Sequence, residues 1–514
     1  MRFVLVAAAA LAVVAVPGAA ARGTARPVLL SYGPAVISPN GNGIHDTLHV
    51  RVRANGPVDL RAYVWGGRLH GWRELSTGVS AGGSGTLSWT PSALGDGSYQ
   101  VTVCYKDRGA RLGPVIAPRD QRPGAAENTV SRPPWRYAGC LAKPRTIRVE
   151  RLAAFVDSTQ SFEPGSRPPL VVSADRGQAS VKLEQDCSGR TYPGTRLPRG
   201  LASGLYHYVV TDPAGDRFEA PVAVRNAAFP IERPPPNTAL LVWPYLTWHA
   251  YNSYDADLNG IPDSWYHFWR NRRVSLRGPI LPGGQEDDHK AAASFSSWLC
   301  SRQPRVQSIT DVELGRLPLS ALHRYRAIVF PGHSEYYEPR TWRLLRDYRG
   351  QGGHLVFLQA NPFYRQVKLV KDRNAMVMTD FDARDRGYSD FALTGVGYDG
   401  CCFPRSHAAR YVAATGAAYA RVRWLFLGTG VGPGQAFGYA GSESDRIDPQ
   451  LTPRDHVVAA VAIIPGNYGV VNAALVWSRA GRGETFATGN YDFLRMRKAL
   501  TWTLLDNVWR KLVS

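Results

Sequence analysis

Ala327-Ile328-Val329-Phe330-Pro331-Gly332-His333-Ser334-Glu335-Tyr336-Tyr337 decides the reading of the whole chain. Four apolar residues end abruptly at a Pro-Gly turn, the pattern of a short buried strand. A dense group of ionisable side chains follows at once. Pro339 then sits where a first helical turn tolerates proline, and Trp342, Leu345 and Tyr348 recur at helical spacing. Gly352-Gly353 stops that helix, and His354 to Leu358 reads as a second buried strand ending at Gln359-Ala360-Asn361. Strand, helix, strand is the unit from which parallel sheets are built. Ligands and chemistry in such sheets collect beyond the carboxyl ends of the strands. His333, Glu335 and Asn361 all lie just past such ends, so topology alone predicts that they share one edge.

Outward from this unit, Ala239 to Val242, Ala474 to Trp477 and Glu484 to Ala487 are further short buried-strand runs. Helical patterns lie between several of them, as at Ala291 to Cys300. The last helix carries Phe493, Leu494, Leu500, Leu504, Leu505 and Val508 on one face. An α/β domain is therefore expected over residues 238–514. The stiff Pro-rich stretch 230–237 precedes it as a linker.

The earlier chain has a different texture. Leu48 to Arg53 alternates apolar and polar residues, and Val58 to Trp65 and Tyr99 to Val103 read as further strands. These place one all-β module over residues 22–150. A second all-β module is expected over 151–229, with strands at Pro169 to Val172, Ala179 to Leu183 and Gly204 to Val210. No ionisable constellation is visible in it, so a structural role beside the last domain is expected. Residues 1–21 read as a secretory signal: Met1-Arg2, then an apolar Phe3 to Val16, then Ala19-Ala20-Ala21 as the cleavage site. The expected location is outside the cell, with no transmembrane segment.

The chain has 514 residues, a formal net charge of +20 and six cysteines. The basic residues are spread along the chain, with no concentrated arm, so nucleic acid is not an expected partner. Outside the cytosol the cysteines can pair. Cys104 and Cys140 are the first candidates, and Cys401-Cys402 could close on each other or pair elsewhere. No CxxC spacing points to zinc. Asp255-Ala256-Asp257-Leu258-Asn259-Gly260-Ile261-Pro262-Asp263 has the alternating oxygens and glycine turn of a calcium loop, so Asp255, Asp257, Asn259 and Asp263 are candidate Ca2+ ligands. An acidic surface turn would show the same spacing.

Two resemblances add to this reading. Ile37-Ser38-Pro39-Asn40-Gly41-Asn42-Gly43-Ile44-His45-Asp46-Thr47 resembles the start of secreted Ig-like β-sandwich modules of the flagellar-hook-cap type. Asn40, Asn42 and Asp46 there have calcium-ligand spacing, or that of an Asx-rich turn. In the last domain, Thr247-Trp248-His249-Ala250-Tyr251-Asn252, Gly332 to Tyr337, Gly353 to Phe357 with Asn361, and Trp424 to Gly430 with Gly441-Ser442-Glu443-Ser444-Asp445 resemble the C-terminal domain of the N,N-dimethylformamidase large (beta) subunit family. That resemblance implies a class I glutamine amidotransferase-like α/β fold. It also implies a small amide substrate, and one Fe(III) held by two tyrosinates and a carboxylate. By motif the carboxylate is Glu335 and one phenolate is Tyr251; the second is Tyr266, with Tyr254 as the alternative. His333, Asn361 and Glu443 match polar residues that the family places near the iron, as proton carriers and as a donor to the oxyanion. A companion subunit or an oligomer is also implied. Ser334 lies in a string lacking the final glycine of a nucleophile elbow, so serine catalysis is not expected. The alternative expectation is a non-catalytic exported protein that binds surface polymer or glycan.

Overall fold

The computed structural model describes the chain from residue 28 onward, leaving out 34–35, 38–46, 67–72, 90–96, 108–138, 141–144, 150–151, 175–176, 214–216, 253–264, 266–272, 281–285, 371–373, 381–388, 404–407 and 467–468. β-Sheet dominates and helices are few. The chain forms two compact units, one from the N-terminal β segments and one holding everything from Ile147 to Ser514.

In the first unit, Leu48–Gly66 is one strand of 19 residues rather than the two expected at Leu48 to Arg53 and Val58 to Trp65. The side-chain parity explains this. Val50, Val52, Ala54, Val58, Leu60, Ala62 and Val64 are all buried and all even-numbered, so the alternation crosses Gly56-Pro57 without a reversal. Residues 58–66 of this strand pair antiparallel with Gly97–Asp107. Cys104 and Cys140 are ladder partners and form a disulfide.

The second unit is built on a nine-stranded sheet. Its strands are β1 (Ala239–Trp243), β2 (Val306–Thr310), β3 (Ala327–Phe330), β4 (His354–Phe357), β5 (Ala409–Ala413), β6 (Ala436–Ala440), β7 (Asp455–Gly466), β8 (Gly469–Ala480) and β9 (Gly483–Ala487). The order is β2-β1-β3-β4-β9-β8-β7-β5-β6. The first five are mutually parallel. The other four join antiparallel. Strand–helix alternation therefore does not run through the whole region after residue 238 as expected. The reason is local: only Gly481 and Arg482 separate β8 from β9, far too few residues for a parallel crossover. The helices that bear on the sheet and the site are α1 (Tyr245–Ala250), α2 (Glu286–Arg302), α3 (Pro339–Gly350) and α4 (Lys498–Leu512). Pro339 opens α3, and Gly352 follows it in a left-handed conformation at φ 111°. None of the described helices is long and apolar enough to cross a membrane.

One face of the sheet packs Leu241, Trp243, Val329, Val356 and Leu358 against Phe295, Trp298, Leu504 and Val508 of α2 and α4. The other face packs Leu240, Ile328, Phe330, Leu355 and Phe357 against Trp342, Leu345 and Tyr348 of α3. A four-stranded antiparallel sheet, ordered Thr191–Pro193, Ser180–Glu184, Gly204–Thr211, Arg217–Val224, belongs to the same unit. Leu205 and Ala223 from it enter the core that holds Trp298 and Leu299. The seam is polar as well. Ser161 donates from its N–H and its hydroxyl to the Glu313 carboxylate, at 2.9 and 3.0 Å. Asn226 exchanges hydrogen bonds with Gln307 and donates to the Val306 carbonyl on β2. A Cys187–Cys300 disulfide crosses it, a pairing the sequence did not single out. The side chains of Cys401 and Cys402 lie outside the described residues.

The β segment before β1 does hold an ionisable pair, contrary to expectation. His207 Nδ1 lies 2.5 Å from Asp186 Oδ1, with both side chains buried. Burial lowers the His207 pKa, but the attraction and hydrogen bond of Asp186 outweigh it and raise it overall.

Candidate active site

Each side chain of the cluster is aimed by a turn beyond a parallel strand. After β3 the chain turns at Gly332, where a Cβ would sit 2.8 Å from Pro244 Cγ, so only glycine lets the two loops close together. Thr247 of α1 then accepts the backbone N–H groups of Glu335, at 3.0 Å, and of Tyr336, at 3.3 Å. That fixes Glu335 beside Tyr251, which ends the same helix. The Tyr251 hydroxyl donates to Glu335 Oε2, and Arg365 Nε donates to Glu335 Oε1 at 2.5 Å. His333 stacks on the Tyr251 ring, with centroids 5.7 Å apart, and meets Tyr491 edge-on. Its Nε2 lies 3.9 Å from Glu335 Oε2 and 3.4 Å from Glu443 Oε2.

Asn361 follows β4 in a left-handed conformation, φ 53°. Its N–H reaches both oxygens of Asp445 at 3.0 Å, and its Nδ2 donates to Glu443 Oε2 at 3.0 Å. Glu443 and Asp445 lie on Ser442–Arg446, a strand tied to the turn after β9. Asp445 N donates to Gly489 O at 2.9 Å, and Tyr491 N to Glu443 O at 3.1 Å. Gly489 has φ 50°, and a Cβ there would be 2.4 Å from the Ala474 carbonyl. The site thus draws on turns after β1, β3, β4 and β9, all parallel, which is why their carboxyl ends coincide.

The cluster is dry. His333 is wholly buried, Glu335 is 2% exposed and Asn361 3%. Burial, then Glu335, Tyr336 and Glu443, push the Tyr251 phenol well above its usual pKa, so it is a proton donor in this arrangement. Tyr336 is raised for similar reasons, and burial followed by Glu443, Tyr364 and Glu335 pushes Tyr398 up to about 12. Burial lowers the Arg365 pKa, but Glu335 and Tyr336 more than reverse this. Burial likewise raises the Asp445 carboxyl well above the ordinary range, opposed by the Asn361 N–H.

Of the residues singled out in the sequence, Tyr251, His333, Glu335, Asn361 and Glu443 are in one contiguous network. Tyr266, Tyr254, Asp255, Asp257, Asn259 and Asp263 lie outside the described residues, as do Asn40, Asn42 and Asp46. Among the described residues no group of three or more His, Cys, Asp or Glu side chains is placed to hold a metal ion. Tyr251 Oη and Glu335 Oε2 do converge, and both are hard oxygen donors. Arg365 Nε is on the other carboxylate oxygen, Oε1. This pair fits a hard cation and leaves a third donor to come from elsewhere. Sequence reading missed Arg365, Thr247 and the part played by Asp445. Thr247 and Asp445 stood inside the quoted motifs, whereas nothing around Arg365 marked it.

The fold and the site define a β-rich protein with a buried tyrosine, carboxylate and histidine cluster at the ends of parallel strands. The chain belongs to the family described as N,N-dimethylformamidase beta subunit-like, C-terminal, whose profile matches residues 173–496. No curated protein matches the chain. Among solved structures, a Bacteroides ovatus mixed-linkage glucan utilization locus protein, SGBP-B, in complex with a heptasaccharide is similar at 13% identity and TM-score 0.15, over 42% of this chain and 51% of that one. An intimin C-terminal fragment bound to its receptor domain matches at 10% identity and TM-score 0.16, over 38% and 66%. Escherichia coli alpha-2-macroglobulin matches at 12% identity and TM-score 0.17, over 42% and 23%. The chain thus spans between about a quarter and two thirds of these proteins' lengths, and superpositions this distant carry no argument.

Proposed function

We propose that this protein is a hydrolase of a carbon–nitrogen amide bond, working at the Tyr251, Glu335, His333, Glu443 and Asn361 cluster. The observation that carries the reading is the unbroken buried contact from Tyr251 through Glu335 and His333 to Glu443 and Asn361. In the reaction water adds to the amide carbon, the C–N bond breaks, and the proton lost by water ends on the departing nitrogen. His333, between two carboxylates, is placed to carry that proton. Asn361 Nδ2 uses one hydrogen on Glu443, and the second is free to face a developing oxyanion. Ser334 Oγ donates to Gly332 O at 3.2 Å, and the reading needs no covalent nucleophile. Family membership supports the reading.

A ferric ion suits the donors. Tyr251 and Glu335 would hold it, with Tyr266 or Tyr254 as the second phenolate. Such an ion, when bound, polarises a carbonyl and acidifies water. Arg365 limits the negative charge at Glu335 and keeps its Oε2 turned toward Tyr251. Calcium at Asp255, Asp257, Asn259 and Asp263, an amidotransferase-like α/β assignment for the last domain, and export through residues 1–21 belong to the same proposal.

The test is amine release from small amides by purified protein, together with a visible tyrosinate absorption band. Glu335→Gln should bleach the band and abolish release. Colourless protein from iron-supplied cells, inactive on every amide tried, would reject the hydrolase.

The binding-protein alternative has one observation in its favour. A cavity of about 440 Å³ lies between the four-stranded sheet and α2, lined by Gln185, Tyr192, Tyr206, Asn226 and Gln303 and well separated in sequence from the cluster above. Retention on a neutral polysaccharide column, lost in Tyr192→Ala and intact in Glu335→Gln, would favour it.

A further inference from the structure

The cavity between the four-stranded sheet and α2 runs from an exposed rim to a buried floor. Ser188, Arg190 and Gln303 stand exposed at the rim, whereas Ser296, Leu205 and Val306 are 3%, 2% and 4% exposed. Ser296, Leu299 and Cys300 face the cavity from one stripe of α2, at i, i+3 and i+4 spacing. Nearby serines on the helix are satisfied: Ser294 Oγ donates to Leu494 O at 2.8 Å, and Ser301 Oγ to Trp298 O at 2.9 Å. Ser296 Oγ is instead buried with no hydrogen-bond partner among the described residues. A buried hydroxyl left so is costly, and native proteins leave few of them. The walls around it are already built. Gln185 Nε2 donates to Tyr206 Oη at 3.3 Å, Tyr206 Oη to Ala202 O at 3.0 Å, and Asn226 Nδ2 to Val306 O at 3.4 Å. The Cys187–Cys300 disulfide lies in the lining and ties its sheet side to its helix side.

We infer that this cavity takes the end of a neutral glycan chain, with Ser296 Oγ at its floor bonded to a sugar hydroxyl. This rests on the binding reading of the cavity and deepens it, and it holds whether or not the cluster is catalytic. Charge narrows the ligand. No carboxylate is among the described lining residues, so an ammonium group finds no counter-ion there. Arg190, the one charged side chain among them, is at the rim, and an anion at the floor would exchange its water for neutral partners. A sugar hydroxyl both donates and accepts, as Ser296 Oγ does. The C–H faces of a sugar ring suit Leu205, Leu299 and the Tyr192 ring. The volume of about 440 Å³ is that of a small-ligand site. A ring in mid-chain is held at the rim by its neighbours on both sides, so the floor is reached from a chain end.

The test titrates the full chain with cellobiose and maltose, and with the matching hexasaccharides, by calorimetry. At least one disaccharide should bind, and its hexasaccharide with much the same affinity, because only the end enters. Ser296→Ala should weaken binding about tenfold, the effect of one buried hydrogen bond. Ser296→Leu should fill the floor and abolish binding, with thermal unfolding reporting that the seam has stayed folded; where it has not, Ser296→Ala decides. Failure of every sugar to bind overturns the inference, and so does binding that the Ser296 variants leave unchanged. A hexasaccharide that binds far more tightly than its disaccharide would lay the chain along an open surface and overturn it too. Retention on polysaccharide without disaccharide binding would reject this subsite and leave the binding reading standing. Disaccharide binding lost in Ser296→Leu, in a protein that also releases amine from amides, would end the non-catalytic reading and keep the subsite.

Discussion

Replacing Cys187 and Cys300 together by serine should destabilise the second unit without dismantling its folded state. The two cysteines are 113 residues apart, so the link restricts a long loop of the unfolded chain. The loop-entropy relation gives about 4.8 kcal/mol for a closure of that size. The folded seam does not depend on the bond alone. Ser161 remains on Glu313, Asn226 on Gln307, and Leu205 and Ala223 stay in the core with Trp298 and Leu299. Urea unfolding followed by tryptophan fluorescence should therefore show a loss of about 3–5 kcal/mol, with near-UV circular dichroism unchanged before the transition. A loss under about 1 kcal/mol would refute the entropic reasoning. Native-state loss of the near-UV signal would show instead that the bond holds the seam together directly.

Gly353→Ala should cost about 3 kcal/mol or more, because its Cβ would fall 2.1 Å from Tyr348 Cζ, and thermal unfolding reads this directly. Arg365→Met should cost about 3 kcal/mol by leaving the Glu335 carboxylate buried without its ion-pair partner, and Arg365→Lys should recover only part of it. Burial and then Arg326 lower the His354 pKa from 6.5 to about 4, and its Nδ1 accepts the Glu484 N–H, so the ring is neutral in the folded state. The unfolded chain takes up the proton first as pH falls. The stabilisation is therefore full above pH 6.5 and lost as pH drops toward 4, by about 2 kcal/mol after allowance for screening. His354→Gln should flatten that slope, and an unchanged slope would remove His354 as its cause. Millimolar calcium should raise the melting temperature if Asp255, Asp257, Asn259 and Asp263 bind it, and Asp257→Ala should abolish the shift.

Four of the five parallel strands were legible as short apolar runs, whereas Val306–Thr310 was not, because Gln307, Ser308 and Thr310 interrupt its apolar pattern. Ala327–Phe330 and His354–Phe357 lie where the pattern puts them. Direction was not legible for β8, since an apolar run says that a strand is buried and not which way it runs. The span of Leu48–Gly66 was misread because Gly56-Pro57 looks like a turn, and only the unbroken parity argues otherwise. Within the site, residues just past strand ends announced themselves by position. Arg365 did not, because its role comes from a strand in another sheet, Arg365–Leu369, passing beside Glu335. His207 and Asp186 were invisible as a pair for the same reason, being brought together only across a strand and a turn.

The contact between Asn226 and β2 also bears on how the protein can be handled. β2 is the last strand on its side of the nine-stranded sheet, and Asn226 covers the Val306 carbonyl on its open flank while Gln307 reaches back to Asn226 and Phe229. A chain trimmed to begin near residue 238 would uncover the Val306 carbonyl, leave Gln307 without Asn226 and Phe229, and leave Cys300 without its partner. Open strand flanks invite other chains to pair with them. Such a fragment should precipitate or assemble edge to edge, whereas one beginning near residue 150 should stay in solution. The segment that precedes β1 thus also guards an edge of the sheet that carries the buried cluster.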